Sequence, residues 1–213
     1  TPATSGARMA SFDSLFQRHR FMAVLRGLSP DQAVAAAQRA WDLGIDLVEV
    51  PIGDLTQVDA LVAVVKAGSD RGKTVGAGTV MTSEHVQAAQ EAGAAYTVAP
   101  GLDPEVLAAS TAAGLPHLPG VATPSEVQHA WRLGCRWVKV FPAATLGPEW
   151  FRAIRGPFPM LRYVATGGIT PHTAPEYLDA GADIVALGTA VTDPVHHDAL
   201  AALLRRYAAT RTS

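Results

Sequence analysis

One cysteine, Cys135, is all the thiol chemistry the 213 residues offer, which excludes an internal disulfide framework and fits a reducing compartment. No apolar span reaches about twenty residues, the length a membrane helix needs. There is no basic block and the formal net charge is -2, so nucleic acid and anionic membranes have no electrostatic footprint to hold. The seven histidines show neither HExxH nor a paired-ligand spacing, and no metal is expected. His196 and His197, in or beside the last helical segment, read as solvated, and His117 as a packed histidine. Residues 1–10 lack the charged-then-apolar layout of a secretory signal, so a cytoplasmic location is expected, with residues 1–8 as a disordered tail.

Lysine is also scarce: of 17 basic residues only three are lysines. Lys66 and Lys73 fall near a helix end and in a turn, whereas Lys139 sits inside the apolar run Trp137-Val138-Lys139-Val140-Phe141. That run has the length and β-branched content of a buried strand. A lone ammonium out of water costs on the order of several kcal/mol unless it is paired or gives up its proton, and a neutral amine is a nucleophile. The alternative is a strand-end lysine that snorkels to solvent or meets a buried carboxylate.

With 48% hydrophobic residues, the chain describes one domain, residues 1–213, with a sizeable core. Five times a helical pattern ends at a glycine, Gly44, Gly93, Gly114, Gly134 or Gly181, and an apolar run follows within a few residues. Counting residues 21–25, 74–77 and 162–165 as further strands makes eight, each followed by a helix-compatible stretch, several opening on Ser, Thr or Asp caps. Such a pattern predicts an α/β fold, a (β/α)8 TIM barrel, with an extra N-terminal helix over 9–18 and a last barrel helix over 194–209. An open doubly wound sheet is the alternative, although eight regular units would make it unusually wide.

Function in a barrel sits at the carboxyl ends of the strands. Read in order, those ends carry three ionisable groups, Arg26, Glu49 and Lys139, in a ring otherwise crowded with glycine and proline. Glu49, within Val48-Glu49-Val50, is again a charge in a strand that reads as buried; it and Lys139 form either a structural ion pair or a coupled acid and base. An imine-forming lysine with a carboxylate proton shuttle is what carbon–carbon cleavage through an enamine requires. Arg26 either pairs locally or grips a substrate carboxylate in a two-pronged contact. Thr166-Gly167-Gly168 after the seventh strand and Gly188-Thr189 after the eighth either make tight turns or, as their joint position favours, bind phosphate through backbone N–H groups.

Together Val48-Glu49-Val50, Gly76-Ala77-Gly78-Thr79-Val80, Pro119-Gly120, Lys139-Val140-Phe141-Pro142-Ala143 and Thr166-Gly167-Gly168-Ile169 resemble the 2-keto-3-deoxy-6-phosphogluconate (KDPG) and 4-hydroxy-2-oxoglutarate (KHG) aldolase family, in order and over nearly the whole chain. By that resemblance Lys139 matches the Schiff-base lysine and Glu49 the general acid/base. Thr79, Pro100, Pro119 and Phe141 match the lining of the pyruvate pocket, and Gly167, Gly168, Gly188 and Thr189 the phosphate end. The resemblance implies a class I aldolase without cofactor, cleaving KDPG to pyruvate and D-glyceraldehyde 3-phosphate, and a homotrimer.

One segment departs from the gluconate branch, which usually carries Thr-Leu-Arg after the base where this chain has Pro51-Ile52-Gly53-Asp54. The first strand, ending Leu25-Arg26-Gly27, is closer to the branch acting on the C4 epimer, 2-keto-3-deoxy-6-phosphogalactonate (KDPGal), while Thr166 is typical of the gluconate branch. Rival classes are a phosphate-binding barrel without Schiff-base chemistry and a non-catalytic scaffold.

Overall fold

Short runs that are apolar at nearly every position make strands covered on both faces, as parallel sheets require. In the computed structural model, which describes residues 11–209, these are β1 (Phe21–Val24), β2 (Leu47–Pro51), β3 (Val75–Gly78), β4 (Tyr96–Val98), β5 (His117–Leu118), β6 (Gly120–Val121), β7 (Trp137–Val140), β8 (Arg162–Ala165) and β9 (Ile184–Leu187). They pair in parallel in the order β5-β4-β3-β2-β1-β9-β8-β7-β6. β5 and β6 are two halves of one strand broken at Pro119, which has no N–H to offer a ladder. The two ends of the order are therefore consecutive in the chain, and the sheet closes into the expected eight-stranded barrel. Across the break, the Pro119 carbonyl still accepts from the Lys139 N–H at 2.8 Å.

Between the strands run α2 (Pro30–Asp42), α3 (Val58–Ser69), α4 (Ser83–Glu91), α5 (Pro104–Ala112), α6 (Pro124–Arg132), α7 (Ala143–Leu146), α8 (Pro148–Arg155) and α9 (Ala174–Asp179); α1 (Phe12–Phe16) precedes β1, and α10 (Thr189–Thr192) and α11 (His197–Ala209) follow β9. Ser29 and Thr123 begin α2 and α6 with reciprocal capping boxes, and Thr82 and Asp103 cap α4 and α5. All five glycines read as helix ends take positive φ. The chain after β8 turns before it becomes helical: Thr170 and Thr173 bond each other, and α9 begins only at Ala174. The last segment is a 3-10 turn, Pro194–His196, before α11.

The expected entrance helix is shorter than 9–18. Ser11 caps α1, which ends at Phe16; Met9 and the tail 1–8 lie outside the described residues. Its role is to plug the barrel floor. Fully buried Phe16 meets Tyr96 edge-on at 5.1 Å and Trp137 at 5.5 Å, and Asp13 accepts from the Trp137 indole at 2.8 Å. Inward side chains such as Met22, Leu47, Val98, Leu118 and Ile184 complete this inner core, and the opposite strand faces pack under the helices. With the floor filled, the barrel of the described residues opens at the carboxyl ends of its strands.

Candidate active site

Alternation along β7 decides where Lys139 goes. Trp137 belongs to the inner core and Val138 and Val140 to the helix-facing layer, so Lys139 points into the barrel one pleat above Trp137. Only 2% of it is exposed. Among the described residues its amine makes no hydrogen bond or salt bridge, and it lies 5.4 Å from the centre of the Phe141 ring.

β2 repeats the pattern: Leu47 points inward, Val48 and Val50 outward, and Glu49 inward with 1% exposed. Room for its carboxylate comes from Gly78, where a Cβ would stand 1.9 Å from Glu49 Oε1. Gly76 likewise admits the Tyr96 ring, whose hydroxyl donates to the Val48 carbonyl at 3.0 Å. Burial, reinforced by the Glu49 charge, pushes the Tyr96 phenol well above its ordinary value, so it stays a proton donor. Glu49 Oε1 itself has no hydrogen-bond partner among the described residues. β2 and β7 are separated by β1, β9 and β8 on one side and by β3, β4 and the broken strand on the other, so the carboxylate and amine face each other from opposite walls. The structural ion pair is not formed.

A cavity of about 530 Å³ opens beside Lys139. Of the residues singled out in the sequence, it gathers Arg26, Lys139, Phe141, Thr166, Gly167, Gly168, Gly188 and Thr189. Glu49, Thr79, Pro100 and Pro119 do not line it; they belong to strand ends on the other half of the mouth. The halves are joined where Arg26 Nη2 donates to Thr79 Oγ1 in a long hydrogen bond of 3.4 Å. Among the described residues, three nitrogen-bearing side chains, Arg26, Lys139 and His196, line the cavity and no carboxylate does. The N–H groups of Gly167, Gly168 and Gly188 donate to nothing among the described residues.

The profile of the family described as KDPG and KHG aldolase matches residues 12–202. The chain is 33% identical to the 2-dehydro-3-deoxy-6-phosphogalactonate aldolase of Escherichia coli (strain K12), over 79% of this chain and 82% of that one. The chain belongs to the KDPG and KHG aldolase family. This aldolase is also 36% identical to the 2-dehydro-3-deoxy-phosphogluconate aldolase of Treponema pallidum (strain Nichols), over 78% and 79% of the two chains. The KDPG aldolase of Legionella pneumophila, with pyruvate captured at low pH as a covalent carbinolamine intermediate, superposes with a TM-score of 0.78 at 28% identity, covering 90% of this chain and 95% of that one. Aldolases are carbon–carbon lyases, and membership sets aside the non-catalytic scaffold.

Two features of the aldolase site escaped the sequence. His196 lies in the approach to the last helix, as expected, but it is not solvated: it is half-buried and forms part of the cavity wall, because the segment after β9 folds back over the mouth before α11 starts. Its only sequence signal was its place in the connection after the last strand. Thr79 adopts φ 54°, a left-handed conformation that a β-branched residue rarely takes and that the Gly-Ala-Gly-Thr run did not announce. His117 is packed, as read. It faces the helices, with Nδ1 2.9 Å from Thr97 Oγ1. No described helix is long and apolar enough to cross a membrane.

Proposed function

We propose that this chain is a class I aldolase in which Lys139 forms the Schiff base, cleaving KDPG to pyruvate and D-glyceraldehyde 3-phosphate. The observation that carries the reading is the Lys139 amine itself, buried yet unpartnered on a cavity wall, with a carboxylate on the opposite wall. On this reading the amine attacks the C2 ketone and loss of water leaves an iminium. Glu49, directly or through a water, takes the C4 hydroxyl proton. The electrons of the C3–C4 bond then move into the iminium, releasing glyceraldehyde 3-phosphate and leaving an enamine. Protonation at C3 and hydrolysis free pyruvate and restore the amine.

Arg26 and Thr79 are assigned to the substrate carboxylate, and Pro100, Pro119 and Phe141 to the walls of the pyruvate pocket. Thr166, the N–H groups of Gly167, Gly168 and Gly188, Thr189 and the His196 ring are assigned to the phosphate. A lining that carries the Arg26 guanidinium and, among the described residues, no carboxylate supports a substrate with two anionic ends. A second reading, the KDPGal epimer, is supported by Arg26 reaching the cavity while position 53 carries no side chain. Activity on 4-hydroxy-2-oxoglutarate belongs to the same proposal. So do one catalytic domain, a homotrimer as the family resemblance implies, and a cytoplasmic setting, which agrees with a lone, buried thiol at Cys135.

The decisive experiment is incubation with pyruvate and borohydride followed by intact-mass and peptide analysis. A covalent gain on Lys139 is expected; none, in folded protein, would refute the mechanism. Steady-state comparison of KDPG with its C4 epimer then assigns the branch, since the two differ in the direction of one hydroxyl and hence in a hydrogen bond of about 1 kcal/mol.

A further inference from the structure

The two connections that follow β2 and β3 touch at the barrel mouth. Thr79, in the second, is the single non-glycine residue with positive φ among those described. Such a conformation persists only where the surroundings over-determine it. Both flanking residues are pinned: the Gly78 carbonyl accepts from Ile52 N–H at 2.8 Å, and Val80 N–H donates to the Val98 carbonyl at 2.9 Å. Held this way, the Thr79 side chain leans over Gly53. A Cβ at position 53 would stand 2.5 Å from Thr79 Cγ2 and 3.2 Å from its Cβ. Gly53 does not have a positive φ, so no left-handed conformation calls for glycine there. What the site requires there is the absence of a side chain.

Thr79 Cγ2 and Oγ1 hang from one Cβ and turn together about χ1. The torsion that seats the methyl over Gly53 therefore also aims the hydroxyl, and Oγ1 is the acceptor for Arg26 Nη2 at 3.4 Å. Arg26 is otherwise exposed at the end of β1, with no ion pair among the described residues, and it lines the cavity that holds Lys139.

We propose that Gly53 is a positioning residue for the carboxylate end of the site: the space above it seats the Thr79 methyl, and Thr79 in turn orients Arg26. A methyl group at position 53 forces χ1 of Thr79 to turn, which swings Oγ1 off the guanidinium and returns Arg26 to solvent. The inference rests on the reading that Arg26 grips the substrate carboxylate.

The test is a double-mutant cycle of Gly53→Ala and Thr79→Ser, read as half-saturation by pyruvate in borohydride trapping, with the trapping rate at saturation measured separately. Gly53→Ala in the Thr79 background is expected to raise half-saturation about tenfold, the loss of one charge-assisted hydrogen bond, while saturating pyruvate still modifies Lys139. Serine keeps Oγ1 and lacks Cγ2, so in the Thr79→Ser background the same Gly53→Ala change should raise half-saturation less than about twofold, through relief of the clash. Equal effects in both backgrounds, or no effect with Thr79 present, overturn the proposal. Arg26→Ala, measured alongside, separates the two layers: unchanged half-saturation there refutes the carboxylate reading itself, whereas a clear Arg26 effect with an additive cycle refutes only the role of Gly53.

Discussion

Glu49 and Lys139 face one another across the barrel from β2 and β7, both almost wholly buried, without forming an ion pair. A direct pair would satisfy both charges and leave neither free to react. Held apart, they leave room between them for a bound keto acid that contacts the amine at one atom and the carboxylate at another.

The two residues should fail differently when altered. Lys139→Ala is expected to abolish covalent trapping while unfolding remains cooperative. Glu49→Gln should still trap pyruvate but cleave substrate slower by about 10²-fold or more, the usual contribution of a positioned acid/base. Cleavage at the original rate in Glu49→Gln would remove that residue from the mechanism.

Gly78 makes a separate prediction, because its missing side chain is the space that Glu49 occupies. Gly78→Ala would place a methyl 1.9 Å from Oε1 and 2.6 Å from Cδ of the carboxylate. Overpacking of this kind costs roughly 1–3 kcal/mol. A lower denaturation midpoint, with cleavage reduced at least about tenfold as the carboxylate is displaced, is the expected result. Unchanged turnover would mean that the position of Glu49 is immaterial.

His196 is expected to matter for phosphate. Losing one hydrogen bond to a charged group costs about 1.5–3 kcal/mol, so His196→Ala should raise KM for the phosphorylated substrate roughly ten- to a hundredfold. Half-saturation by pyruvate, which carries no phosphate, should move far less. Parallel changes in both would place His196 in general packing instead.

His117 ties stability to pH. Burial pulls its imidazole down from 6.5 to about 4, against the smaller opposing effect of the Asp103 carboxylate. Between those values the unfolded chain binds a proton that the folded one refuses, so this contribution is complete above about pH 6.5 and is lost as pH falls toward 4. At 1.36 kcal/mol per unit it amounts to about 3 kcal/mol. Urea unfolding at pH 7 and pH 4.5 should therefore show a larger drop for the native chain than for His117→Asn; identical drops would contradict the assignment.

Much of the architecture follows from local rules that a sequence expresses directly. A period of two sends Trp137 and Lys139 to one face and the neighbouring valines to the other, and glycine after five of the helices marks where the chain turns back. Eight such units, with Lys139 and Glu49 as inward charges, were therefore readable before any fold was known. What closure of the barrel alone decided lies between segments distant in the chain. Pro119 breaks the fifth strand, Gly53 sits under the Thr79 methyl, the connection after β9 brings His196 to the cavity, and Glu49 and Lys139 stay apart instead of pairing. Those relations depend on how strands are staggered around a closed ring and on side-chain torsions set by neighbours 26 positions away in the case of Gly53 and Thr79. Periodicity carries no information about such distances, because it records which way each side chain points and not what it meets.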